Sequence, residues 1–365
     1  MENKTVLLGW KSMFMDFIRI FAAVWVVVTH TYAMIFPLNS NVAFQYGHAA
    51  VVVFFILSGF VIALTTNAKN RGATQYATAR ISRLYGVLIP AFIVTIAVEL
   101  YLKYIDHNVF VTIYRGNSFA RYLTSFLFIN EIWFFSSAPP INAPLWSLSF
   151  EFSYYVLFGV FFYRSRFINP RLVIILTLLI VGPKILIMMP IWLMGVLLYY
   201  APTNRLNFKL SLSLSILVFL FAVLVVVCLH SIPFQLGTPP LFFASGFVLD
   251  WLIGFCFTVG IWLIPNIDKN ISAKTYKIVR KSADLTFPIY VLHNPFLFFF
   301  KSIFNFQLNS FPFLFFILLF VLTLSILVGL FIEKFRFKLN IFFAAIINIT
   351  LKSVLIKRLL VNNER

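Results

Sequence analysis

"MDFIRIFAAVWVVVTH", residues 15–30, sets two charges and a histidine (Asp16, Arg19 and His30) in a stretch that is otherwise almost wholly apolar. The rest of the chain has the same character. Of its 365 residues 61% are hydrophobic and 11% charged, and the mean hydropathy is +0.95. Soluble domains hold about 25% charged residues, so the composition excludes one. A bilayer core of about 30 Å asks for about 20 helical residues, and apolar stretches of that length recur from Met13 onward. The fold class is therefore all-α, a polytopic integral membrane helical bundle of about ten transmembrane helices. Hydropathy places them at roughly 13–36, 48–66, 84–105, 145–163, 171–188, 190–201, 210–231, 241–264, 284–302 and 311–333. Pro190 is expected to separate the fifth from the sixth.

The net charge of +18 might suggest nucleic acid, but its placement follows the membrane instead. With a cytoplasmic N-terminus, the inside segments hold Lys4, Lys11, Lys69, Arg71, Arg80, Arg83, Arg164, Arg166, Arg171, Arg205, Lys209, Lys269, Lys274, Lys277, Arg280, Lys281 and the basic residues from Lys334 to Arg365. Only Lys103, Arg115, Arg121, Lys184 and Lys301 are assigned to the outside or to span ends there, and Arg19 alone is assigned to a membrane span. This obeys the positive-inside rule with both termini cytoplasmic, as expected for a cell membrane, in bacteria the inner one. Residues 1–333 read as the membrane-embedded domain, and 334–365 as a basic amphipathic cytoplasmic tail. Cys228 and Cys256 lie within spans and read as packing residues. The first helix is expected to direct insertion without a cleavable signal, and no soluble domain is expected to follow the spans. Neither a metal nor a bound cofactor is expected.

On a helix, Arg19 and His30 are eleven positions apart, which puts them about 20° from alignment, with Asp16 near the same stripe. Ionisable groups inside a bilayer are costly and line a cavity or a pathway, so that stripe faces protein or water. The plainer reading of Asp16 and Arg19 is a local ion pair, and that of His30 a hydrogen-bonded core histidine. "NAPLWSLSFEFSYY", residues 142–155, carries Trp146, Ser147 and Glu151, the one acid of its span. Glu151 and His30 each lie about six residues, roughly 9 Å, from the outer ends of their helices, so a carboxylate–imidazole pair is one expectation. A structural hydrogen-bonding role for Glu151 is the other.

In "KNRGATQYATARISRLYGVLIP", residues 69–90, read as a cytoplasmic loop, Arg80 and Arg83 sit one turn apart before the third span. Paired guanidiniums suit phosphate, although lipid anchoring would use the same residues. Ser58 and Gly59 in "GHAAVVVFFILSGFVI" permit close helix approach. His293 in "SADLTFPIYVLHNP" sits mid-span and must face the interior. His48, His107 and His230 carry no comparable signal. Residues 106–144 are ambiguous, since "YLTSFLFINEIWFF" could dip into the membrane and return or span it.

In this order these pieces resemble the acyltransferase 3 family of multispanning membrane enzymes. The likeness rests on Arg19, ten residues, then His30; on "VVVFFILSGFVI"; on the arginines of "ARISRLYGVLIP"; on "LWSLSFEFSYY"; and on "IYVLHNP" followed by "IEKFRFKL". Phe152, where the family often has a second Glu, and Tyr85 depart from its pattern. The resemblance implies an O-acyltransferase that moves an acyl group, acetyl by default, from cytoplasmic acyl-CoA to a hydroxyl of a cell-surface or lipid-linked glycan. It implies that Arg19 and His30 are essential, that Glu151 is functional, and that Arg80 and Arg83 serve the donor. His30 would be the general base or a transient acyl carrier. The partners would be acyl-CoA, a polysaccharide or lipid-linked saccharide and membrane lipids, with no nucleic acid. A transporter or flippase of lipid-linked sugars is the competing class, but the two matched halves with broken helices that would favour it are absent from the sequence.

The predicted topology has a direct check. With Cys228 and Cys256 replaced by Ala, single cysteines at Thr74, Ser165 and Ser272 should be shielded from an impermeant thiol reagent added outside, whereas those at Asn41, Ser118 and Thr238 should react. External labelling at Thr74 would invert the topology.

Overall fold

The computed structural model describes residues 10–68, 72–202, 204, 206–228, 237–265, 272–304 and 308–362. Lys4, Lys69, Arg71, Arg205, His230, Lys269 and Arg365 lie outside the described residues. Thirteen α-helices make up the described chain: α1 Trp10–Ile35, α2 Ser40–Ala68, α3 Ala73–Ile105, α4 His107–Ile113, α5 Ser118–Phe126, α6 Trp146–Phe162, α7 Pro170–Val181, α8 Pro183–Tyr200, α9 Phe208–Cys228, α10 Phe247–Leu263, α11 Ala273–Asp284, α12 Thr286–Ile303 and α13 Phe311–Asn362. No strand occurs among the described residues beyond one isolated bridge, Thr238 to Phe242. Every predicted span overlaps a helix, the fifth overlapping two. Seven helical segments there are long and apolar enough to cross a membrane, and α7 and α10 are shorter apolar helices. The chain is an all-α polytopic bundle.

Three boundaries differ from the sequence reading. The break between the fifth and sixth spans falls at Gly182, not at Pro190, which sits inside α8. Gly182 has φ +80°, a conformation open to glycine, and Pro183 removes a backbone donor where the first turn of α8 leaves one unpaired anyway. A Cβ at Gly182 would also run into the backbone of Trp133. Secondly, α3 begins at Ala73, so Arg80 and Arg83 stand on a helix rather than a loop. Nothing in "ATQYATARISRLY" breaks a helix, and charged residues merely mark where it leaves hydrocarbon. Thirdly, α13 continues as helix from its apolar part through the segment read as the tail.

The ambiguous segment dips and returns. Asn117 caps α5 by accepting from the Ala120 amide at 3.1 Å, and Glu99 of α3 binds the Tyr122 hydroxyl at 2.6 Å. The tip at Phe128 is buried, with Tyr85 donating to the Phe126 carbonyl at 3.0 Å and Ser149 to that of Phe128 at 2.6 Å. The chain then doubles back, so that Thr124 meets Ser137 at 2.9 Å and Arg121 donates to the Ala138 carbonyl at 3.1 Å. Nine helical residues are too few to cross a bilayer, and the bonds above tie the segment to α3, to α6 and to itself.

Two devices lock the helices around this segment. Gly59 on α2 and Gly195 on α8 bring those helices into backbone contact: a Cβ at either would collide with a carbonyl, Trp192 for the first and Ile56 for the second. This is the close approach expected of Gly59. Lys184, at the start of α8, is fully buried and donates to Glu131 and to the Phe135 carbonyl. Burial pushes the Glu131 carboxyl up to about 7 even beside Lys184.

Removing one partner of a buried ion pair costs about 3–5 kcal/mol, because the other is left alone. Lys184→Met should therefore sharply lower the thermal midpoint of the protein in detergent, and adding Glu131→Gln should recover part of the loss. Equal midpoints for the single and double variants would show that the pair does not hold the segment.

Candidate active site

The site is built where α1, α2, α3, α6 and α12 meet. His30, on the last turns of α1, lies with Nδ1 2.9 Å from His293 Nε2 on α12. His293 Nδ1 is 2.6 Å from the carbonyl oxygen of Tyr290. A carbonyl only accepts, so His293 carries its proton on Nδ1 and presents a lone pair at Nε2. The bond between the rings then requires His30 to donate from Nδ1, which leaves His30 Nε2 as a lone-pair base. Gly47 faces that nitrogen: a Cβ there would lie 3.6 Å from it and would clash with the Thr29 hydroxyl. The Asn294 side chain reaches the same imidazole and anchors itself on the Ile141 carbonyl at 2.8 Å.

A cavity of about 330 Å³ opens beside His30, walled by Gly47, His48, Trp146, Phe243 and Tyr290, with Arg115 also lining it. A smaller one of about 60 Å³ adjoins it, since both are lined by Val51 and Tyr290. The small cavity carries Arg19, Ser58, Arg83, Ser147 and Glu151. Arg19 and His30 thus line consecutive spaces along one face of α1, as the stripe predicts.

Glu151 does not meet His30. It accepts hydrogen bonds from Tyr155 and, at 3.1 Å, from Ser58, and Arg83 is within its electrostatic reach. Equal distance from helix ends misleads here because α6 begins inside the bundle. The turn before it is buried, with Asn142 donating to the Val291 carbonyl and Thr95, both at 3.0 Å. Trp146 therefore stands at the level of His30, and Glu151 lies deeper. Ser147 is 2.9 Å from the Tyr290 hydroxyl, which itself donates to the Pro144 carbonyl at 3.0 Å.

The two loop-side arginines part company as well. Arg83 faces the small cavity, whereas Arg80 is buried, donating to Thr65 at 2.7 Å with its guanidinium near the Tyr76 and Tyr155 rings. Asp16 lies 3.6 Å from Arg19 and holds Arg280 of α11 through both carboxylate oxygens at 3.0 Å. Burial works against the Arg280 charge, but Asp16 more than offsets it, and the guanidinium pKa is raised. Asp16 therefore clamps α11 onto α1 beside the small cavity.

This is one through-bundle arrangement with the His30–His293 pair at one level and two guanidiniums at another. A family profile described as an acyltransferase domain matches residues 13–331. The chain belongs to the acyltransferase 3 family. A protein named O-acetyl transferase from Shigella phage Sf6 is 27% identical over 168 residues, 41% of this chain and 46% of the phage protein. The chain therefore spans about half the length of that curated relative. No solved structure matches it. Among the described residues no cluster of three metal-ligating side chains occurs.

Sequence reasoning about this acyltransferase-family chain missed two site features. His48 bonds Asp250 of α10 at 3.0 Å, and Tyr290 separates the two cavities. Asp250 was detectable, because it is the one acid of its predicted span, the same signal that singles out Glu151. Tyr290 had no such mark.

Proposed function

We propose that the protein is a membrane O-acyltransferase that takes an acyl group, acetyl by default, from acyl-CoA and delivers it to a hydroxyl of a cell-surface or lipid-linked saccharide. The observation that carries this reading is the His30–His293–Tyr290 chain, which leaves a lone-pair nitrogen at a cavity adjoining one lined by Arg19 and Arg83. Acyl transfer to an alcohol needs a base at the acceptor and cations for an anionic donor, in a space that excludes bulk water.

In this reading Arg19 and Arg83 hold donor phosphate at the small cavity, on the cytoplasmic side of the membrane. The thioester arm passes Val51 and Tyr290 toward His30. His30 Nε2 takes the proton of the acceptor hydroxyl as its oxygen bonds to the thioester carbonyl carbon. The carbon–sulfur bond then breaks, and the thiolate leaves with the proton from His30, so the imidazole returns to its starting form. His293 fixes the tautomer and ring angle of His30 throughout. Glu151, bonded to Ser58 and Tyr155 and near Arg83, positions the donor end rather than the base.

The test is transfer of label from acetyl-CoA to saccharide acceptors by purified protein in lipid nanodiscs; label that never leaves the thioester with any acceptor would sink the reading. His30→Ala should lower kcat by about 10²–10⁴-fold. His293→Ala should lower kcat by a smaller factor at unchanged donor KM, because the base remains but its orientation is lost. Full activity of the His30 variant would remove it as the base.

The arginines should separate kinetically. Arg83→Ala should raise donor KM, with Lys rescuing only in part. Arg80→Ala should instead lower the unfolding midpoint, because its guanidinium is spent on Thr65 and the two tyrosine rings. Equal donor KM in wild type and Arg83→Ala would return Arg83 to lipid anchoring.

A further inference from the structure

A third imidazole lines the cavity that His30 lines, and the reaction above does not use it. His48 Nε2 lies 3.0 Å from Asp250 Oδ2, and both residues are buried. The carboxylate accepts, so Nε2 carries a proton and donates. The ring is stacked on Trp146 with centroids 5.5 Å apart and planes 18° apart, and Trp146 in turn stacks on Phe243 at 4.6 Å and 6°. Carboxylate and stack together hold the imidazole in one orientation. Among the described residues Nδ1 has no hydrogen-bond partner, and His48 lines the cavity.

Such an arrangement exceeds what packing needs. A buried imidazole that lines a cavity, with one nitrogen satisfied and the other without a partner, leaves a hydrogen-bonding position for something in that cavity. A hydroxyl fits whether Nδ1 accepts or donates, because it can do both. His48 is also the next residue after Gly47, which abuts the basic nitrogen of His30, so the two imidazoles address neighbouring parts of one space. The cavity, about 330 Å³, has the volume of roughly ten liquid waters, room for a single sugar-sized ring.

We propose that the His48–Asp250 pair is an acceptor-recognition subsite: His48 Nδ1 hydrogen-bonds a second hydroxyl of a polyhydroxylated acceptor and thereby selects which hydroxyl reaches His30. This rests on the acyl-transfer reading and adds a specificity-determining residue to it. His48 moves no proton in the reaction. Trp146 and Asp250 are positioning residues that act through His48. A site built around a substrate hydroxyl rejects analogues that lack it far more strongly than an apolar pocket rejects a missing methylene, because its own polar atom is left unpaired.

The experiment compares methyl glucopyranoside and its monodeoxy analogues with tetrahydropyran-4-ol, a ring with one hydroxyl, as acceptors of labelled acetyl from acetyl-CoA in nanodiscs. Wild type should favour the polyol by at least about tenfold in kcat/KM, and one deoxy analogue that still carries the acylated hydroxyl should lose most of that preference. In His48→Phe/Asp250→Asn, which keeps a stacking ring and leaves no unpaired carboxylate, the preference should fall by about tenfold through acceptor KM. Donor KM should hold, and acyl groups should spread over more ring positions. His48→Gln, whose amide can donate to Asp250 and still offer its oxygen, should recover part of the preference, and it carries the test if the double variant does not fold. A variant that retains the wild-type preference and positional pattern overturns the subsite and leaves the acyltransferase intact. Wild type that labels neither acceptor overturns both.

Discussion

An ionisable side chain inside an apolar bundle has to find its partner within the protein, because hydrocarbon offers none. The polar architecture follows from that constraint. Asp16 is met by Arg280 and Arg19, Glu131 by Lys184, Glu99 by Tyr122, Asp250 by His48, and Glu151 by Ser58 and Tyr155. Apart from Asp16–Arg19 and Glu151–Tyr155, each within one helix, every pairing joins separate segments, so satisfying the charges also fixes how the helices sit. An apolar interface alone would specify this poorly, since lipid tails are as good a neighbour as leucine.

Against that background the His30 chain differs in kind. His293 spends one nitrogen on the Tyr290 carbonyl and the other on His30, and His30 is left with one nitrogen that the chain of bonds makes a lone pair. Gly47 keeps space beside it. The imidazole is thus oriented by neutral partners, with no carboxylate in the chain. An imidazole held this way is set by geometry, and Arg19 and Arg83 stand apart from it, at a neighbouring cavity.

Close backbone contact gives the site its rigidity. Gly59 and Gly195 let α2 and α8 touch, and Ser58, next to Gly59, thereby receives the Trp192 indole at 3.3 Å while donating to Glu151. The stretch "ILSGF" serves packing and polar positioning together, where the sequence favoured packing and kept Ser58 as a candidate site residue. Gly182 and Pro183 likewise end one helix and start the next at the level of the re-entrant segment, which brings Lys184 to Glu131.

Periodicity and hydropathy are local properties, and what depends on them was legible: the all-α membrane class, the positions of the spans other than the fifth and sixth, the shared stripe of Arg19 and His30, and the inward-facing His293. The motif order also carried the family. Partnerships across helices were not legible. His30 and Glu151 looked paired because each stands a similar distance from a helix end, yet α6 starts below the surface, anchored by buried Asn142, and His293 takes the place beside His30. Arg80 and Arg83 looked equivalent one turn apart, but three residues fall about 60° short of a full turn, which leaves one toward Thr65 and the other toward the small cavity. Helix depth and rotation are settled by packing among distant segments, so the tertiary structure decided which polar groups meet, while the sequence by itself determined only that they had to face inward.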